Sequence, residues 1–300
     1  MPPRASPFKR LKDRIMKLIR DRESNRLTDK QFFKEVKTGV QENPTAPVAL
    51  AAGSLSVSDL EEIFNITRTH DVPSWTTPIP RIRFSSCFEQ YFRRVDDLVY
   101  GTDNGTNPAI TCLRLNMLLV EVSTLVKEYM GLPRGGLHLQ LQSHSRWGPF
   151  QWRGVTHEIN GFADYSLSYG PKEETCVNLC VIEAKTESSL PVGKAQLLTY
   201  LAMVRAHRIS EGKEDLTVYG IVTDCAYFEF YELNQEGKWF KLVLHTSSAS
   251  MQQIANVIAE FAIQTAIQSR AQSRQVSPVY YQPRSTRVSG SRFGDETVVD

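Results

Sequence analysis

The sequence predicts an α/β fold in which a mixed β-sheet of five or six strands is flanked by helices, with an N-terminal helical extension ahead of it. Two strands and a helix carry this reading. Residues 177–182 form an apolar, β-branched run, Val177-Asn178-Leu179-Cys180-Val181-Ile182, closed by charge at Glu183 and Lys185. It is long enough for a buried strand and too short for a membrane span. Ahead of it, Phe162, Tyr165, Leu167 and Tyr169 are strand formers bounded by Gly161 and Gly170. The polar turn Gly170-Pro171-Lys172-Glu173-Glu174 makes an antiparallel pair the simplest connection. Behind it, Ser188 and Ser189 are N-cap candidates, Pro191 suits a first turn, and residues 195–204 have helical character with Gln196 and Tyr200 on one face.

The other elements follow in chain order. Arg4, Lys9, Arg10, Lys12, Arg14, Lys17, Arg20 and Arg22 interleave with Phe8, Leu11, Ile15, Leu18 and Ile19 as a basic amphipathic helix. It reads as a solvated or partner-docked helix, or as a nuclear-import or DNA-backbone contact, and it lacks the apolar core of a secretory signal. Thr28-Asp29-Lys30-Gln31 predicts a capped helix to about Val40, residues 41–53 a linker, and Ser58-Asp59-Leu60-Glu61 a second capped helix to about Thr69. Pro73, Pro78 and Pro80 around Trp75 suggest a weakly ordered joint. Helices are expected from Ser86 and over 109–130, the first with a Phe88, Phe92, Val95, Val99 stripe.

Leu137, Leu139 and Leu141 alternate with polar residues as a half-exposed strand. His144, Arg146, Trp147, Trp152, Arg153 and His157 then crowd a turn-rich segment, which either grips nucleic acid by stacking and phosphate contact or anchors an ordinary hairpin. Strands at 216–223, 227–233 and 239–245 and a closing helix over 247–268 complete the core. Residues 1–80 are thus expected as the helical extension with its basic helix and Pro-rich linker, 81–270 as the main domain, and 271–300 as a disordered tail rich in Ser, Arg, Gln and Pro.

Composition narrows the class. With 41% hydrophobic and 23% charged residues, the 300-residue chain reads as a soluble globular protein without a membrane partner. A net charge of +2 gives no global basic signature, so any nucleic-acid contact must come from local clustering. Five cysteines in no metal-like spacing argue for reduced thiols inside a cell, and the basic helix favours the nucleus over the cytoplasm.

The charged end of the 177–183 strand is the chemical centre. Glu183 and Lys185 share one face, with Ala184 turned away. Pairing with the Gly161–Tyr169 strand would bring Asp164 beside Glu183, and two close carboxylates are relieved by a shared proton or a divalent cation. Hard oxygen ligands suit Mg²⁺ or Mn²⁺, and the Lys185 ammonium would favour a deprotonated bound water. A short connection sets the next helix beside this edge, where Lys194 and Gln196 would reach a phosphate.

Asp164, the 18 residues 165–182, then Glu183-Ala184-Lys185 and a helix carrying Gln196 and Tyr200 resemble the PD-(D/E)XK nuclease superfamily. Gly161-Phe162-Ala163-Asp164-Tyr165, Val181-Ile182-Glu183-Ala184-Lys185 and Ala195-Gln196-Leu197-Leu198-Thr199-Tyr200-Leu201-Ala202 look most like a set of fungal proteins with that domain. The likeness covers roughly residues 84–268, its specific part is 161–204, and Ala163 stands where the superfamily's name has proline.

This resemblance implies a restriction-endonuclease-like sheet. It implies a metal held by Asp164, Glu183 and the Ala184 backbone carbonyl, with Lys185 orienting or deprotonating the attacking water and Gln196 positioning a phosphate or Lys185. Glu121, with Glu128 in reserve, is the candidate further ligand from the preceding helix. Lys194, Tyr200, Arg146, Trp147 and Arg153 are the candidate nucleic-acid contacts. The expected function is a Mg²⁺- or Mn²⁺-dependent nuclease acting on nucleic acid, DNA before RNA. The alternative is an inactive nuclease-fold module that binds nucleic acid or a protein partner, the latter through the basic N-terminal helix.

Overall fold

The computed structural model describes residues 7–24, 26–42, 47–78, 81–99, 108–133, 136–169, 177–183 and 190–275. In chain order the elements are α1 (Pro7–Glu23), α2 (Asp29–Glu42), β1 (Val48–Ala51), a 3-10 turn (Ala52–Ser54), α3 (Val57–Phe64), β2 (Thr67–Arg68), α4 (Ser86–Val99), α5 (Pro108–Tyr129), β3 (Leu137–Trp152), β4 (Val155–Tyr169), β5 (Val177–Glu183), α6 (Leu190–Ser210), β6 (Val218–Thr223), β7 (Tyr227–Leu233), β8 (Lys238–His245) and α7 (Met251–Gln275).

The strands form one mixed eight-stranded sheet in the order β1-β4-β5-β6-β7-β8-β2, with β3 also paired to β4. Pairings β1–β4, β5–β6 and β8–β2 are parallel and the rest antiparallel. One face buries Leu115, Leu118, Leu119, Val122 and Val126 of α5 and Ile254, Ile258, Phe261 and Ala262 of α7 against Tyr165, Leu167, Tyr219 and Ile221. The other buries Leu197, Leu198, Leu201 and Met203 of α6 and Leu60 of α3 against Ile159, Ala163, Val218 and Val222. The architecture is therefore helix, sheet, helix, as the alternation of apolar strands and amphipathic helices predicts. Helix α5 is apolar and long enough to cross a membrane by composition alone, yet its stripe from Leu115 to Val126 belongs to this core.

The N-terminal third departs from its sequence reading. Residues 48–76 are woven into the sheet and core instead of standing outside them. Within the expected linker, β1 pairs Val48 to Ala51 with His157 to Asn160 of β4, and β2 pairs Arg68 with Trp239 of β8. Helix α3 is capped by Ser56, two residues earlier than expected, through a capping box with Asp59, and ends at Asn65 in the left-handed region. Trp75 is buried edge-on to Phe261 at 4.8 Å and donates its indole N–H to Glu232. Only α1 and α2 retain the character of a helical extension. They pack as a hairpin, with Arg22 bonded to Asp29 at 2.8 Å and lying 5.3 Å from the centre of the Phe32 ring.

The other correction is the hairpin. The segment expected to be rich in turns is continuous strand, with β3 and β4 paired from Leu137↔Tyr169 to Trp152↔Val155. Arg153 and Gly154, both at positive φ (49° and 77°), make the two-residue turn whose twist matches the strands it joins. Helix α7 runs to Gln275, so the first five residues of the tail expected over 271–300 are helical, and 276–300 lie outside the described residues.

Glu232 gives the fold a pH signature. Burial raises its carboxyl above the ordinary range against the opposing effect of the Trp75 hydrogen bond, with Asp215 and Glu236 adding repulsion. A raised folded pKa means that the contribution to stability is full below the ordinary carboxylate pKa and is lost as pH rises through the folded value. Glu232→Gln keeps an acceptor for Trp75 and removes the charge. Its urea midpoint is expected to exceed that of the wild type at neutral pH and to converge with it near about pH 4; equal midpoints at neutral pH would contradict this account.

Candidate functional site

Two strands meet end to end along one edge of β4. β1 runs parallel to β4 and pairs as far as Ala51↔Asn160, and β5 runs antiparallel and takes up the same edge at Val181↔Tyr165. Their carboxyl ends therefore point towards each other across Gly161, Phe162, Ala163 and Asp164. Ligands of α/β sheets collect where strand ends part in this way.

Helix α6 fills one side of the opening. The Tyr200 hydroxyl donates to the Phe162 carbonyl at 2.8 Å, and Thr199 Oγ1 donates to the Ala52 carbonyl at 3.1 Å. Gln196 Nε2 donates to the Tyr200 hydroxyl at 3.3 Å, while its side-chain oxygen faces Gly53. Gly161 makes this possible. A Cβ at residue 161 would stand 2.5 Å from the Tyr200 hydroxyl oxygen and 2.9 Å from Ala52 Cβ, so residue 161 is a close-approach glycine and not the strand punctuation its sequence position suggests.

Asp164 is half-buried at the far end of the opening, where β4 turns over. Ile159 and Ala163 bury under α6, whereas Tyr165, Leu167 and Tyr169 bury against α5 and α7. All five positions are odd, so the two-residue alternation breaks between 163 and 165. Across the β3–β4 ladder, Gln142 adopts φ 49° between the pairs Leu141↔Tyr165 and Ser143↔Ala163.

Glu183 ends β5, level with Thr223 of β6. The β4–β5 ladder ends at Val181↔Tyr165, so Asp164 and Glu183 lie just past its last pair, on adjacent strands and one position out of register. Ala184 and Lys185 follow at once and lie outside the described residues. On α5, Glu121 is half-buried and Glu128 exposed. Among the described residues no three His, Cys, Asp or Glu side chains form a metal group. Asp164 and Glu183 are both carboxylate residues, oxygen donors of the type that hard divalent cations take.

The nucleic-acid candidates separate. Tyr200 is buried and committed to Phe162. Trp147 lies between Phe64 and Phe150, with ring centres 4.5 and 4.6 Å away. Arg153 bonds Asp59 at 3.1 Å and Glu62 at 2.9 Å and covers the Trp152 ring at 4.2 Å. Arg146 is exposed and bonded to Glu158, whose carboxyl it holds below the usual range. Trp147 and Arg153 thus brace the hairpin against α3, while Arg146 ties β3 to β4. Lys194 instead projects over the Trp239 ring, 4.9 Å from its centre. Arg68, Glu229, Trp239 and Lys241 around it had no sequence signal, because they come from distant strands joined only by the sheet. The shallow cleft between α1 and α2, lined by Ile19, Arg22, Leu27 and Phe32, carries none of these groups.

Comparison with models of known protein families and with curated proteins finds no match.

The packing at Gly161 is open to a double-mutant cycle in urea unfolding. Tyr200→Phe should cost about 1 kcal/mol for its lost hydrogen bond, and Gly161→Ala about 1–3 kcal/mol for overpacking. Because the alanine methyl meets the hydroxyl that phenylalanine lacks, the double variant should lose at least about 0.5 kcal/mol less than the sum. Simple additivity would mean that the hydroxyl does not press on residue 161.

Proposed function

We propose that the chain is a metal-dependent nuclease that hydrolyses phosphodiester bonds of nucleic acid, DNA before RNA, on a restriction-endonuclease-like variant of its α/β sheet. The observation that carries this reading is the meeting of the β1 and β5 carboxyl ends over Asp164, with α6 starting beside them. In the proposal Asp164, Glu183 and the Ala184 carbonyl hold Mg²⁺ or Mn²⁺. Such an ion, when bound, supplies positive charge that polarises the scissile phosphate.

The chain's own side chains do the rest. Asp164 is half-buried within β4, so its backbone is held by strand pairing and not by a loop. Lys185, two residues beyond Glu183, is assigned the stabilisation of charge developing on the phosphate. Gln196, held between Gly53 and Tyr200, is assigned the orientation of that phosphate or of Lys185.

The deciding assay is cleavage of plasmid, linear duplex and single-stranded substrates with Mg²⁺, Mn²⁺ or chelator. Cleavage by the intact protein should require the ion and vanish in Asp164→Ala and Glu183→Ala. Lys185→Ala should lower the rate by on the order of 10²–10⁴. No ion-dependent cutting by the intact protein, or undiminished cutting by Asp164→Ala, would overturn the reading. Retained nucleic-acid binding in the first case would leave an inactive binding module.

A further inference from the structure

Five polar or aromatic side chains converge on the α6 face of the sheet, on the opposite side of the α6 N-terminus from Gln196. The register fixes four of them. Lys241 pairs with Tyr231, Arg68 pairs with Trp239, and Glu229 lies two residues before Tyr231 on the same face. From above, Lys194 lies 4.9 Å from the centre of the Trp239 ring and Arg68 lies 5.5 Å from it. Gly193 lets α6 come this close, since a Cβ there would meet Val222 at 3.1 Å.

The charges in this cluster do not balance. Glu229 is its carboxylate, and that group is already bonded to Lys241 at 2.7 Å and to the Tyr231 hydroxyl. Lys194 and Arg68 have no hydrogen-bond acceptor among the described residues, and the buried Trp239 indole N–H is likewise unpartnered. Burial, then Lys241, pushes the Lys194 ammonium below its ordinary pKa, with Glu229 opposing and Arg68 adding to the repulsion. Two cations kept close to a third, with donors in excess of acceptors, are relieved by an anion.

We propose that Lys194 and Arg68, on the Trp239 ring, form a phosphate-binding site that takes a backbone phosphate of the nucleic acid some nucleotides away from the one at Asp164 and Glu183. The chemistry recognised is a phosphate oxyanion, offered by a polynucleotide or by free phosphate. Glu229 is level with Val222 on β6, which is level with Ile182 on β5. Glu229 therefore stands two interstrand steps, about 10 Å, from β5, Trp239 on β8 three, about 14 Å, and Arg68 on β2 four, about 19 Å. Gln196 and Lys194 look to opposite sides of the first turns of α6, so a strand crossing the start of the helix meets both. The inference deepens the nuclease reading, but its test needs no cleavage.

The experiment is fluorescence anisotropy of labelled single-stranded and duplex oligonucleotides with the full chain in chelator, over a salt series. The variants are Lys194→Ala, Arg68→Ala, their double, and Lys194→Arg. Removing both cations should weaken binding and flatten the slope of log affinity against log salt by roughly 1.4 for single strands and 1.8 for duplex, with Lys194→Arg close to wild type. A parallel titration with inorganic phosphate, read by tryptophan fluorescence, separates the sources. Competition at millimolar phosphate and above supports a backbone site, whereas saturation at micromolar phosphate without a change in oligonucleotide slope overturns it. Unchanged slopes in the double variant, or no oligonucleotide binding by the wild type, also overturn it. If the slopes flatten while Asp164→Ala cuts as well as wild type, the phosphate site stands and the catalytic assignment falls.

Discussion

Tyr200 reaches the Phe162 carbonyl because residue 161 has no side chain in the way, and the position of α6 over the sheet follows from that contact. The Phe162 carbonyl lies on the stretch of β4 between the last pairs made by the carboxyl ends of β1 and β5. A partly buried carbonyl left without a donor costs free energy, and the Tyr200 phenol supplies that donor. The Thr199 hydroxyl, 2.8 Å from the Ala195 carbonyl of its own helix, is shared with the Ala52 carbonyl at 3.1 Å. Between them they fasten α6 to both strand ends, and the orientation of Gln196 is a result of this seating.

The sheet adjoining this seat is divided by chemistry. Towards β4 lie Asp164 and Gln196, towards β8 lie Lys194, Lys241 and Arg68, and the first turns of α6 stand between them. Under the proposed nuclease reading, the basic locus would offset the repulsion between the acids and a polyanion. The hairpin arginines belong to a different system. Arg153 and Trp147 spend their interactions on α3, which explains why the most aromatic and basic stretch of the sequence is a brace.

What could be read from the sequence was what periodicity encodes. β5 and β6 are apolar runs and α5 and α7 carry apolar stripes, so their existence and approximate limits were legible. β1 and β2, four and two residues long with largely exposed side chains, have no pattern of their own and exist through their register with β4 and β8. The β3–β4 hairpin was obscured because both faces of its outer half carry polar and aromatic residues, which hides the alternation. At the candidate site Asp164, Glu183 and Gln196 were legible by type and order. The inversion of β4 at Asp164 was not, because it depends on the backbone of Gln142 on the neighbouring strand. The basic cluster was illegible for a related reason, since residues 68, 194, 229, 239 and 241 become neighbours only once the sheet is assembled.

The woven N-terminal third also governs the order in which the molecule can be made. β1 waits for β4, more than a hundred residues later, while β2 waits for β8 and Trp75 for Phe261 near the end of the chain. Contacts of such long sequence separation form late and slowly. During synthesis the segment from Val48 to Trp75 therefore emerges first and docks last. Ala52 and Gly53 belong to that segment, so the wall of the opening beside Asp164 is completed only after β4 and α6 have both emerged.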